Sequence, residues 1–176
     1  MMGFQKILVA IDDSSLCQAV FAQALELAQA NHGTMMLLHC LNSEMLGGIT
    51  PPLSGEMGLY PQMVASYENH HLQIERRIQQ VQDLLRSYCE KSTSQKVPTE
   101  FDYKVGEAGQ TLCQAAENWG ADLIVMGRRG HKGLTEVLLG SASNYVLHHA
   151  PCSVLVIQGI DTEHSESLAT EEMADG

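Results

Sequence analysis

The chain has 176 residues, the length of one ordinary domain, and 44% of them are apolar, enough for a single core although only 5% are aromatic. Its 21 acidic against 10 basic residues give a net charge of −11, a field that repels nucleic acid and anionic membrane surfaces. No window approaches the roughly 18 to 20 apolar residues that cross a bilayer, and the run Ile7 to Ile11 is too short and too β-branched for a signal peptide, so the expected compartment is the cytoplasm, with neither nucleic acid nor membrane as a partner.

The first predicted element is KILVAID, Lys6 to Asp12, a short and almost wholly apolar run of the kind a central parallel strand buried on both faces requires. Ser14 and Ser15 are available as N-caps for a helix in which Leu16, Val20, Ala24, Leu27 and Ala28 recur at helical spacing until Asn31-His32-Gly33 stops it. A second strand is expected over Thr34 to Leu41 (TMMLLHCL), and strand, helix, strand in that order indicates a right-handed parallel crossover.

Asn42 to Pro61 breaks the rhythm with four glycines and three prolines and reads as a long mobile loop. After it, Tyr67, His71, Ile74, Ile78, Val81, Leu85 and Tyr88 form one apolar stripe on a helix of about seven turns that packs on the sheet. Val97 to Val105 is a more polar strand, expected nearer an edge, and Glu107 to Trp119 a helix closed by Gly120. Ala121 to Met126 is a fourth strand, followed by a glycine-rich turn, a helix ending at His148-His149-Ala150-Pro151, and a fifth strand over Ser153 to Gln158. Gly159 to Gly176 holds six acidic residues and no lysine or arginine, the composition of a disordered acidic tail, which leaves residues 1–158 as the folded domain.

The five cysteines, Cys17, Cys40, Cys89, Cys113 and Cys152, are scattered, odd in number and free of CxxC pairs, so reduced core thiols are expected rather than a disulfide framework or a zinc site. The pairs His70-His71 and His148-His149 are read as ordinary helix residues, because neighbours on a helix point about 100° apart and make poor joint metal ligands.

Strands alternating with helices make a doubly wound α/β sheet, a Rossmann-like fold with helices on both faces and strand order 3-2-1-4-5, and ligands of such sheets bind outside the carboxyl ends of the strands. That edge gathers Asp12, Cys40 to Asn42, and the segment MGRRGHKGLTEVLLGSAS, in which Gly127, Gly130, Gly140 and Ser141 are spaced G-2x-G-9x-G-S. Glycines at Gly127 and Gly130 admit positive φ and let N–H groups approach a phosphate, while Gly140 and Ser141 open a helix whose positive end complements an anion and whose Ser141 and Ser143 can add hydroxyl donors. The competing reading is a plain βα turn. GxxxxGK[ST] and GxGxxG are both absent, which excludes assignment to P-loop NTPases or nicotinamide dehydrogenases.

With KILVAID at the start, LLHCL between, and ADLIVMGRRGHKGLTEVLLGSASNYVLHHAPCSVLVIQ at the end, residues 4 to 158 resemble the universal stress protein family, and the intact G-2x-G-9x-G-[ST] motif resembles its ATP-binding branch. The resemblance implies ATP as ligand, with magnesium allowed alongside it. It places Asp12 near the ribose and adenine, Ala10 and Cys40 beside the base, Met126 and Gly127 at the mouth, and Gly130, Gly140, Ser141, Ala142 and Ser143 along the phosphates. Asp12 has a rival role as a helix cap or strand terminator. Asp13, where the family often has a small residue, and Cys40, where valine is common, are departures that would weaken or tune nucleotide binding. Arg128, Arg129 and Lys132 are read as solvated loop cations rather than phosphate ligands.

The resemblance further implies a homodimer in which fifth strands pair antiparallel, in keeping with the absence of charges, prolines or bulges from SVLVIQ. The expected function is ATP binding that biases a conformational or assembly state in a stress response, with room for an unidentified protein partner. Two alternatives stay open: a slow ATP hydrolase or nucleotidyl-transfer enzyme, with His131 or Asp13 as base, and a structural dimer without nucleotide.

Overall fold

The computed structural model describes residues 3–42, 61–128 and 140–158. Residues 43–60 of the Asn42 to Pro61 segment read as a loop, the stretch 129–139 with Arg129, Gly130, His131 and Lys132, and the tail 159–176 lie outside the described residues. Elements run in the order β1 (Lys6–Ala10), α1 (Cys17–Asn31), β2 (Thr34–Leu41), α2 (Pro61–Ser94), β3 (Thr99–Val105), α3 (Ala108–Trp119), β4 (Leu123–Gly127), α4 (Ser141–His149) and β5 (Ser153–Ile157).

All five strands are parallel, in the order β3-β2-β1-β4-β5. Period-two alternation sorts the apolar runs onto two faces. Ile7 and Val9 of β1, Met35 and Leu37 of β2, and Leu123 and Val125 of β4 meet Val20, Phe21 and Ala24 of α1 and Val81, Leu85 and Tyr88 of α2 in one core. Leu8, Leu38, Ile124 and Met126 meet Leu112 and Ala116 of α3 and Val146 of α4 in the other. Both faces of β1 are therefore sealed, which is why it reads as uninterrupted hydrophobicity. The chain leaves β1 towards β2 on one side and β4 continues on the other, so the order reverses at the carboxyl end of β1, the point at which such sheets open a crevice.

Two local outcomes differ from expectation. Helix α1 starts at Cys17 behind Leu16, without a side-chain cap, because Ser14 is engaged by Asp12 instead. Its end at Asn31, with His32 as C-cap in the left-handed region (φ 53°), falls within the expected stop Asn31-His32-Gly33. Helix α2 is 34 residues long, about 51 Å at 1.5 Å per residue, far more than the seven turns drawn from its stripe. Val81, Leu85 and Tyr88 in its second half are buried, whereas His71, assigned to the same stripe, is exposed. Pro61 opens the helix, where the missing N–H removes no intrahelical bond.

The amino end of the sheet is tied down away from the crevice. Asp122 Oδ2 accepts the N–H groups of Gln5 and Lys6, both at 2.8 Å, and the Lys6 ammonium donates to the Trp119 carbonyl at 2.6 Å. Gly120 closes α3 with φ 71°, as its sequence position implied. At the far edge, β5 keeps Val154, Leu155, Val156 and Ile157 only partly buried, on an edge with no partner strand among the described residues.

Candidate functional site

At the carboxyl end of β1 the ladder carries one step further, Ile11 N–H donating to the Leu38 carbonyl at 2.9 Å. The chain then turns, and the turn is built by Asp12: its Oδ1 accepts Ser14 N–H at 3.0 Å and Ser14 Oγ–H at 2.6 Å, an Asx turn. Asp12 thus shapes the strand-to-helix turn and does not cap α1, whose N-cap Leu16 takes no side-chain hydrogen bond. The neighbouring Asp13 points elsewhere, into an ion pair with Arg77 of α2.

Facing this turn is the end of β2. Cys40 belongs to the core shared with α3 and α4, beside Ala10, and its Sγ lies 3.9 Å from the Ala108 carbonyl. Burial pushes its thiol up to about 12. His39, on the opposite face of the strand, is 4% exposed and its Nδ1 has no hydrogen-bond partner. Burial lowers its pKa, the Asp13 carboxylate opposes that shift, and the Arg77 guanidinium adds to it.

These residues enclose a cleft of about 450 Å³ walled by Asp12, Asp13, Ser14, His39, Cys40, Leu41, Asn42 and Arg77, a volume within the roughly 300 to 1,000 Å³ usual for small-molecule sites. Leu41, Asn42 and Arg77 also border a second pocket of about 170 Å³ that runs under α2 past His70, Ile74 and Ile78.

The end of β4 and the start of α4 belong to the same edge of the sheet, but none of their described residues is among those that wall the larger cleft, which takes in only Asp12 and Cys40 of the anticipated site. Met126 is buried and paired with Val156, and Gly127 with Ile157. Gly127 has no positive φ; a Cβ there would meet Val20 Cγ2 at 3.3 Å and Leu16 Cβ at 3.5 Å, so its smallness admits the close crossing of α1 over β4. Gly140 is the N-cap of α4 with φ −57°, offers no side chain, and is followed by a first turn free of acidic residues. Ser141 is exposed at that turn and Ala142 half-buried beside it. Ser143 is 2% exposed and its hydroxyl donates to the Gly140 carbonyl at 3.0 Å, so in this arrangement it serves the helix and not a ligand. Of the anticipated site residues, Ala10, Asp12, Cys40, Met126, Gly127 and Gly140 to Ser143 all sit at the carboxyl edge of the sheet, and Gly130 lies outside the described residues.

Sequence reasoning passed over Arg77 and His39 and read His70 as an ordinary helix residue. Arg77 and His70 flank the apolar stripe of α2, and their meeting with the ends of β1 and β2 is a tertiary event. His39 carried a signal, a histidine inside an otherwise apolar strand buried on both faces. No group of three or more potential metal ligands occurs among the described residues, and none of their helices is long and apolar enough to cross a membrane. All five cysteines are unpaired.

Comparison with known proteins matches residues 3–158 to the sequence model of the Universal stress protein family. The chain is 40% identical over 160 residues to the universal stress protein Sll1388 of Synechocystis, covering 89% of this chain and 99% of that protein. The fold is shared with a universal stress protein family protein from Arabidopsis thaliana with AMP bound (TM-score 0.56, 22% identity, 90% and 94% of the two chains). It is shared also with the universal stress protein from Archaeoglobus fulgidus in complex with dAMP (TM-score 0.55, 19% identity, 89% and 99%).

Proposed function

The chain belongs to the universal stress protein family, and from that premise we propose that it binds an adenine nucleotide, ATP, in the crevice between the end of β1 and the start of α4. The observation that carries this reading is the uncapped N-terminus of α4 at Gly140, without acidic residues in its first turn, standing at the reversal point of the sheet with G-2x-G-9x-G-S leading into it. Free N–H groups and the positive end of the helix dipole suit a phosphate there. The base and ribose then lie towards Ala10, Cys40 and the remaining oxygen of Asp12, and magnesium accompanies the phosphates. Solved relatives with AMP and dAMP support the ligand class.

Nucleotide occupancy biases an assembly state of a cytoplasmic dimer in this reading. Support for the dimer is the half-exposed apolar edge of β5, and support for the reducing compartment is five unpaired thiols in one chain. Hydrolysis is the weaker reading, because Asp13 as general base is already engaged by Arg77.

The test is to purify the protein without added ligand and identify the nucleotide released on denaturation. Intact ATP supports the proposal, ADP favours the hydrolase, and no nucleotide counts against both.

A further inference from the structure

His39 is the polar exception in an apolar strand: the residue is 4% exposed, and its Nδ1 is buried without a hydrogen-bond partner. A neutral imidazole tolerates that arrangement at the cost of one unmet acceptor. An imidazolium does not, because protonation turns Nδ1 into a charged donor, and a charge shut from water needs an acceptor beside it. His39 therefore holds a proton there only if a neighbouring acceptor moves to meet it.

The charged and titratable neighbours come from three elements. Tyr103 of β3 stands in register beside His39. The cleft that His39 lines adds Asp12 and Asp13 of the turn after β1 and Arg77 of α2. Asp12 is fixed in place by the N–H and hydroxyl of Ser14. Asp13 is 57% exposed and engaged by Arg77 alone in a pair that water screens, so it is the carboxylate free to move.

We propose that His39 is a proton-operated switch on the Asp13–Arg77 pair: its imidazolium draws Asp13 inward and releases Arg77, which unfastens the turn after β1 from α2.

The competition for Asp13 is unequal. A screened surface pair is weak, whereas a buried imidazolium without an acceptor carries a heavy desolvation cost, so the carboxylate serves His39 first. Arg77, 28% exposed, is then satisfied by water. The direction in pH follows from the surroundings: burial lowers the pKa of His39, the Asp13 carboxylate opposes that shift, and the Arg77 guanidinium adds to it. The neutral ring and the fastened pair thus prevail at neutral pH, and the released form grows on the acid side. Arg77 borders both the cleft and the smaller pocket under α2, so its release alters the walls of both. The switch lies in this chain's own side chains and stands without the nucleotide reading.

The test uses the full chain with ¹⁵N-labelled histidine and arginine, followed by NMR from pH 7.5 to pH 5, above the usual range in which carboxylates take up protons. His39 should titrate in that window with a midpoint below its ordinary 6.5. The Arg77 Nε signal, assigned by its loss in Arg77→Gln, should move with the same midpoint and end at the position it holds throughout in Asp13→Asn. The His39 midpoint should fall by about one pH unit in Asp13→Asn and rise in Arg77→Gln. In His39→Leu the Arg77 signal should ignore pH, and if that variant does not fold, the comparison with Asp13→Asn decides. A His39 that stays neutral to pH 5 in the parent, an Arg77 signal that ignores its titration, or a His39 midpoint unchanged in Asp13→Asn would overturn the proposal.

Discussion

Asp13 and Arg77, 64 positions apart in the chain, form an ion pair that joins the turn after β1 to the flank of α2. Asp13 is 57% and Arg77 28% exposed, so water and salt screen the attraction. Breaking the pair with Asp13→Asn should lower stability by no more than about 1 kcal/mol, read as a small shift of the urea midpoint that vanishes in high salt. A loss several times larger would mean that the pair holds α2 in place.

The approach of α3 to α4 predicts a larger effect. A Cβ on Gly109 would lie 2.7 Å from Tyr145 Cβ and 3.0 Å from its Cγ and Cδ1. In a free helix Gly→Ala gains about 1 kcal/mol, but a clash with a Cβ cannot be relieved by rotating the tyrosine, and overpacking of this kind costs about 1 to 3 kcal/mol. Gly109→Ala should therefore lower the melting temperature, and Tyr145→Ala should not restore it fully, because its own Cβ remains. A more stable Gly109→Ala protein would contradict the packing described.

Alkaline pH should destabilise the protein through Cys40. The thiol stays protonated in the folded chain up to about 12, whereas the unfolded chain releases the proton near its ordinary value of 9.0. Between those values the unfolded state binds fewer protons, so stability is intact below about 9 and falls as pH rises towards 12, by at most about 1.4 kcal/mol per pH unit for one group. Tyr88, also pushed up to about 12 by burial, acts in the same direction from its ordinary value of 10.0. Urea midpoints between pH 8 and pH 11 should drop less steeply in Cys40→Ala than in the parent chain; parallel slopes would mean that the thiol is not sheltered.

The family match ends at residue 158, and Gly159 to Gly176 is acidic and poor in apolar residues. Deleting it should leave sedimentation behaviour and nucleotide affinity within about two-fold of the full chain. A truncated protein that changes its oligomeric state would assign the segment a structural role.

The sheet was legible because its strands are sealed on both faces. KILVA and TMMLLHCL could be placed to within a residue or two from uninterrupted hydrophobicity, and the polar TEFDYKV betrayed an edge. Periodicity failed where packing failed: the first half of α2 has few buried neighbours, so the stripe that ends in Val81, Leu85 and Tyr88 understates the helix. Gly127, Gly140 and Asp12 stand at the carboxyl edge of the sheet, with local roles other than those read from the sequence. Gly127 makes room for α1, and Ser14 caps nothing because Asp12 holds it. The cluster of His39, His70 and Arg77 was out of reach, since no local pattern tells which polar residues of β2 and α2 will face one another.

The proposed binding of an adenine nucleotide at the carboxyl edge depends on the glycine-spaced segment. Calorimetric titration of ATP with magnesium into the parent chain and into Gly130→Val tests it most directly. A β-branched side chain there would deny the backbone positive φ and fill the space of a phosphate oxygen. Saturable heat is expected for the parent, none for the variant, and unchanged far-ultraviolet dichroism for both. No heat in the parent, or parental affinity in Gly130→Val, would contradict it.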